Sequence, residues 1–186
     1  MKLERLLNGA KNLVRTGWMQ NGIPPAIGET VASHSFEASI LAYILSCEIR
    51  KKGIDINPEH AAIIALFHDA GETLLGDLPK WTTERINKRD TEIKAFEELG
   101  VGKELFLELK EMRTNEAKVA KLADRLSTYL QAIRYKKLGF NVNEIIKTYD
   151  EEISKLLDIE PLNYIKDLVV NIMNSLNLKE SNEDNK

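Results

Sequence analysis

The stretch from residue 58 to residue 79 reads PEHAAIIALFHDAGETLLGDLP. Its first half contains AAIIALF, apolar all round, the composition of a helix buried on every side rather than one lying on a surface. Asn57 and Pro58 supply an N-cap and a proline at the first helical position. A helix over EHAAIIALFHDAG is therefore expected, and it is expected to be the central one. Yet this run ends in His68 and Asp69, with Glu72 and Asp77 close behind. An unpaired carboxylate is too costly to leave in an apolar interior, so Asp69 calls for a hydrogen-bonding partner, a cation or a metal. No Lys or Arg lies between Lys52 and Lys80. On these residues alone a plainer arrangement stays open, in which the helix end has already reached solvent.

Outward from this stretch the periodicity is helical. Leu3, Leu6, Leu7, Ala10, Leu13 and Val14 mark one face of a helix over residues 3–15. A loop with Gly17, Gly22, Pro24, Pro25 and Gly28 follows, then a helix from about Ser33 to Lys52, stopped by Gly53. Beyond the loop holding Asp77 and Pro79, helices are expected over 83–99, 102–113, 116–138, 142–157 and 161–178, with Gly100 and Gly139 ending two of them. Period-two alternation is missing, so the fold class is all-α: a single compact helical bundle over residues 1–178, with a polar tail over 179–186.

At 186 residues the chain suits one core of ordinary size. Its 43% hydrophobic and 30% charged residues are those of a globular protein, and a net charge of −3 argues against a general nucleic-acid or membrane-surface binder. The amino end interrupts its leucines with charge, unlike a signal peptide, and no run is long and apolar enough to span a membrane. A cytoplasmic location is expected. Cys47 is the single cysteine and sits among apolar neighbours, as a buried, inert thiol would.

Two further segments bear on the acids. Asp124 lies inside EAKVAKLADRLSTYLQAIRY, where Ala117, Ala120, Ser127, Thr128 and Gln131 form a narrow stripe of mostly small residues around it. That stripe leaves room for something to approach the carboxylate. A surface acid paired with Lys121 or Arg125 is the alternative. His34, in ETVASHSFEASIL, can be a helix-end histidine or a ligand. Taken together, His34, His68, Asp69 and Asp124 form a two-nitrogen, two-oxygen set suited to one divalent ion of Mn, Co, Ni, Fe, Zn or Mg. His60, at the start of its helix, is expected to be a surface or helix-end residue.

The order His … His-Asp … Asp on helices resembles the HD-domain metal-dependent phosphohydrolases. ETVASHS, LFHDAGETLLGDLP and KLADRLSTYLQA are similar to the corresponding stretches of the HD-domain 5′-deoxynucleotidases, and the matches span residues 15–131. This resemblance implies that His34, His68, Asp69 and Asp124 hold one metal ion. It implies a catalytic role for Glu72, and for Asp77 a role in placing water or the substrate sugar. The RTGW segment resembles the arginine-tryptophan pair used at the substrate, with Arg15 for phosphate and Trp18 for the nucleoside. Here two residues separate the pair, whereas some relatives have it adjacent. Lys121 stands three positions before Asp124, as a lysine does in the family, either as a phosphate ligand or as a solvated lysine.

The implied activity is hydrolysis of nucleoside 5′-monophosphates, deoxyribonucleotides above all, with a small-molecule nucleotide as partner. Relatives form homodimers, and the apolar stripe of 161–178 is one surface that could support one; packing on its own domain is the other use of that stripe. The rival readings are an HD-type phosphohydrolase of another phosphate ester or nucleotide, and a non-catalytic nucleotide-sensing HD module.

Overall fold

The computed structural model describes residues 2–78, 82, 85 and 87–177. In chain order the elements are α1 (Leu3–Asn12), α2 (Thr16–Gln20), a 3-10 turn (Pro25–Ile27), α3 (Val31–Lys51), α4 (Pro58–Phe67) and α5 (Glu72–Leu75). Then come α6 (Lys88–Leu99), α7 (Lys103–Glu111), α8 (Asn115–Lys137), α9 (Asn143–Leu156), a second 3-10 turn (Leu162–Ile165) and α10 (Lys166–Asn177). Among the described residues the one β feature is an isolated antiparallel bridge between Val14 and Thr30. The fold is an all-α bundle, as expected.

Side-chain caps set where the long helices begin. Thr30 Oγ1 accepts from the Ser33 amide at 3.2 Å, so α3 starts two residues before the expected Ser33 and His34 lies inside it. Asn57 accepts from the His60 amide at 3.0 Å, with Pro58 opening α4 as expected. Thr114 accepts from the Ala117 amide at 3.1 Å and starts α8. Each such cap satisfies an amide that the helix itself leaves without a partner, worth about 1 kcal/mol.

α3, α4 and α8 pack against one another at the centre, through Ala38, Ala42, Leu45, Ile64, Ala65, Leu122, Ala123 and Leu126. Alanines at these crossings let the backbones approach closely, which brings the polar residues of three helices to one place. α9 and α10 close over α8. Phe96, Leu99, Phe106 and Ala70 form a smaller cluster beside the turn after α4.

Several expectations shift. The first helix was expected to reach residue 15 but ends at Asn12, because the Val31 amide bonds the Leu13 carbonyl at 2.9 Å and the Arg15 amide bonds the Glu29 carbonyl at 3.0 Å. Tertiary pairing outweighs the helical pattern there. In 161–178, the first turn is 3-10, and Leu162, Ile165, Val169 and Met173 are buried in the molecule's own core. That stripe is thus used internally. α4 is not buried on every side: Ile63 and Leu66 are exposed. Part of the expected helix start at 83, Pro79 and the tail 179–186 lie outside the described residues.

Candidate active site

His34 on α3, His68 just past α4 and Asp124 in the middle of α8 converge, all three buried. The Nε2 atoms of His34 and His68 are 3.2 Å apart, and Asp124 Oδ1 is 3.2 Å from the first and 3.6 Å from the second. One ligand atom from each of these three residues lies within 4.8 Å of the others. Asp69 Oδ2 faces the same two nitrogens, at 3.0 Å from His68 and 3.9 Å from His34. Residues 34, 68, 69 and 124, distant in sequence, share one locus.

The rings are held from behind. His68 Nδ1 is 2.6 Å from the Ala65 carbonyl, which can only accept, so Nδ1 carries a proton and Nε2 faces the cluster, where its lone pair serves a cation once that nitrogen is unprotonated. His34 Nδ1 is 3.3 Å from Ser127 Oγ. Such outer partners orient metal-binding histidines and fix their tautomer. Burial, then Arg15, press His34 down to about 4. Burial also opposes a charge on His68, but Asp69 and Asp124 outweigh it and lift that ring to about 10. The cluster therefore calls for positive charge. Two imidazole nitrogens and carboxylate oxygens, buried and mutually close, fit a divalent cation by chemistry and by spacing.

Asp124 divides its two oxygens. While Oδ1 faces the histidines, Oδ2 accepts from Lys121 Nζ at 3.2 Å and Arg125 Nη1 at 3.1 Å. The ion pair with Lys121 or Arg125 that the sequence offered as the alternative is present, with both cations and on a buried rather than a surface acid, while Oδ1 stays turned to the histidines. Burial works against the Asp124 charge, but Arg125 and Lys121 hold its carboxyl well below the usual range. The stripe of small residues on α8 is occupied rather than open: Ser127 backs His34, and Thr128 Oγ1 accepts from Arg15 Nη1 at 3.0 Å. The cations absent from residues 53–79 come instead from α8 and from the turn before α2.

Arg15 is held by a partner that the sequence reading passed over. Glu29 is buried, and its Oε2 accepts from Arg15 Nη1 at 3.4 Å and from Trp18 Nε1 at 2.9 Å. Tyr135 Oη accepts from the Glu29 amide at 2.7 Å and donates to the Ile27 carbonyl at 2.9 Å. Gly28 lets this loop come close: a Cβ there would stand 2.4 Å from Val14 Cγ1. Nothing in the sequence marks Glu29, a lone acid after a Gly- and Pro-rich loop, because its partners are 14, 11 and 106 residues away. Trp18 is 2% exposed and packs edge-on against Tyr135. It offers no open face, and its link to the site runs through Glu29.

Past Phe67 the chain does not continue as an α-helix through Gly71. It tightens into i→i+3 turns, with the Ala70 amide on the Phe67 carbonyl and the Glu72 amide on the Asp69 carbonyl, both at 3.0 Å. Glu72 opens α5, is buried, and its Oε2 has no hydrogen-bond partner. Burial, then Asp69 and Asp77, push its carboxyl well above the usual range. Gly76, at φ +82°, then turns the chain into Asp77, a conformation that only glycine adopts without strain. Asp77 Oδ2 accepts from the Thr16 amide, and its carbonyl accepts from Thr16 Oγ1 at 2.7 Å. Asp77 thereby anchors the turn that carries Arg15. His60 pairs with Glu108 at 2.9 Å, apart from the cluster, as a helix-end residue.

A helical bundle whose central helices present two histidines and an aspartate to one buried point defines a class of helical folds suited to holding a cation. The HD domain family model matches residues 7–156, and the chain belongs to that family. It is 32% identical over 149 residues to the 5′-deoxynucleotidase HDDC2 of Dictyostelium discoideum, covering 74% of this chain and 77% of that protein. To the 5′-deoxynucleotidase YfbR of Salmonella arizonae it is 28% identical over 170 residues, 84% of this chain and 85% of that one. Among solved structures, a conserved hypothetical protein from Pyrococcus furiosus superposes with a TM-score of 0.81 at 31% identity, covering 90% of this chain and 95% of that one. A protein from Pyrococcus horikoshii gives 0.82 at 28% identity, with 94% and 99% covered.

Proposed function

We propose that this protein is a metal-dependent phosphomonoester hydrolase acting on nucleoside 5′-monophosphates, deoxyribonucleotides in particular, in the cytoplasm. The observation that carries the reading is the approach of His34, His68, Asp69 and Asp124 to one buried point, with the unpartnered Oε2 of Glu72 close by. The names of the relatives supply the substrate class. In this reading the four side chains hold one divalent ion, which supplies Lewis acidity toward a phosphoryl oxygen and acidifies water.

The chain's own groups do the rest. Arg15, fixed by Glu29 and Thr128, presents its planar fork to the phosphate oxygens. Water attacks phosphorus and its protons leave on the released phosphate, the P–O5′ bond breaks, and Glu72 gives its proton to the departing 5′ oxygen and regains one from solvent. A buried carboxyl pushed well above the usual carboxylate range suits that donor role. Asp77 keeps Arg15 in register through Thr16, and Trp18 does so through Glu29. Most of the acceleration then comes from positioning and charge complementarity. The homodimer implied by the family resemblance belongs to the same proposal.

The test is phosphate release from a panel of deoxy- and ribonucleoside monophosphates with added Mn or Co. Glu72→Ala is expected to keep its metal and lose turnover. Full activity in Glu72→Ala would sink the proton-donor role, and no release from any monophosphate would remove the substrate class.

A further inference from the structure

α9 packs against α8, and two of its half-buried side chains, Tyr149 and Glu152, reach the neighbourhood of Asp124. Glu152 Oε2 accepts from Arg125 Nε at 2.6 Å, while Arg125 Nη1 donates to Asp124 Oδ2 at 3.1 Å. The same guanidinium lies over the Tyr149 ring, 5.5 Å from its centre. A cation over an aromatic face is attracted to it, so Arg125 is held by three partners and ties Tyr149 to the edge of the cluster.

The ring of Tyr149 packs against the molecule's main core. Its hydroxyl is not used in that way and has no hydrogen-bond partner among the described residues. A tyrosine hydroxyl taken out of water normally finds one, because an O–H left dry is costly. Burial pushes the Tyr149 phenol up while Arg15 and Arg125 press it the other way, so its oxygen feels both guanidinium groups. Arg15 also has donors to spare. Both of its side-chain hydrogen bonds among the described residues leave from Nη1, to Glu29 and to Thr128. Thr128 lies one turn beyond Asp124 on α8. Arg15 and Tyr149 thus bring uncommitted donors to the same side of the metal-ligand cluster.

We propose that Tyr149 is a substrate-binding residue, whose hydroxyl donates to an oxygen of the phosphate that Arg15 holds. This inference rests on the phosphate chemistry of the proposed function and adds to it a residue from α9. A charged acceptor suits this place better than a neutral one, since a hydrogen bond to an ionised oxygen is roughly twice as strong. A sugar hydroxyl is the rival acceptor. The phenol contributes a donor without a further charge, at an edge where Arg15, Lys121 and Arg125 already supply three cations.

Titration calorimetry of inorganic phosphate into the intact protein with added Mn tests the contact without any turnover. Tyr149→Phe keeps the ring and removes only the hydroxyl, and it is expected to raise the dissociation constant of phosphate ~10-fold. Its Tm and metal content are expected to match the wild type, since the hydroxyl has no partner within the protein to lose. An unchanged phosphate affinity overturns the proposal; if the variant instead alters only the preference between deoxy- and ribonucleotides, the hydroxyl belongs to the sugar. A wild type that binds no phosphate overturns it, and so does a variant whose Tm falls together with its affinity. Phosphate release from the monophosphate panel is read separately. Release by the wild type, with phosphate affinity unchanged in Tyr149→Phe, leaves the proposed function standing without Tyr149. Weaker phosphate binding in the variant, with no release from any monophosphate, keeps the contact and removes the substrate class.

Discussion

His34 and Asp124 sit inside α3 and α8, helices of 21 and 23 residues whose inner faces are the core of the molecule. Arg15, Glu29 and Asp77 are carried instead by extended or turning chain, tied down by individual hydrogen bonds. The first region holds its groups by packing, which many contacts share. The second holds them by a few polar links, each of which a single substitution can remove. One molecule thus has a cluster that is preorganised by its core and a rim that is adjustable.

The difference can be broken most forcefully at the packed region. Asp124→Ala removes a donor and takes one carboxylate from Lys121 and Arg125, of which Arg125 keeps Glu152 at 2.6 Å. Turnover is expected to fall at least about 10³-fold, with metal content near zero by atomic absorption. A variant that retained its metal would show that Asp124 is dispensable to the cluster. Chelation comes next. If the donors hold a cation, removing it at 100 times its dissociation constant costs about 2.7 kcal/mol, read as a lower Tm in thermal melts with and without metal. Identical melts would mean that the packed region needs no ion.

The rim should respond more mildly and in a different quantity. Glu29→Gln weakens the charged hold on Arg15 by about 1.5 kcal/mol, so KM for a monophosphate and the inhibition constant of free phosphate should each rise ~10-fold. kcat should change less. An equal fall in kcat with KM untouched would move Glu29 out of a positioning role. Smallest is Gly28→Ala, which presses a methyl group on the Val14 side chain. Because that side chain can rotate, the expected loss is about 1 kcal/mol in denaturant unfolding. A neutral result would show that the Val14–Thr30 bridge has slack.

The same contrast explains what could be read from the sequence. His34, His68, Asp69 and Asp124 stood out because helical periodicity fixes which residues share a face and because acids in apolar runs need an explanation. The long helices were legible for that reason, and their ends were close to where the caps fall. Glu29 was not legible, since its meaning lies in Arg15, Trp18 and Tyr135, brought together only by the folded chain. The end of α1 at Asn12 and the tightened turn after Phe67 likewise answer to distant partners rather than to local pattern. Trp18 was legible only by its place in RTGW, while its packing in the core depends on the distant Tyr135.

The two histidines differ in how vulnerable their alignment is to mutation. His68 leans on the carbonyl of Ala65, a main-chain group that no codon change at that position can delete. His34 leans on the hydroxyl of Ser127, which a single base substitution can remove. Over evolutionary time the first ring is insured by the polypeptide itself, while the second depends on selection continuing to keep a hydroxyl on α8.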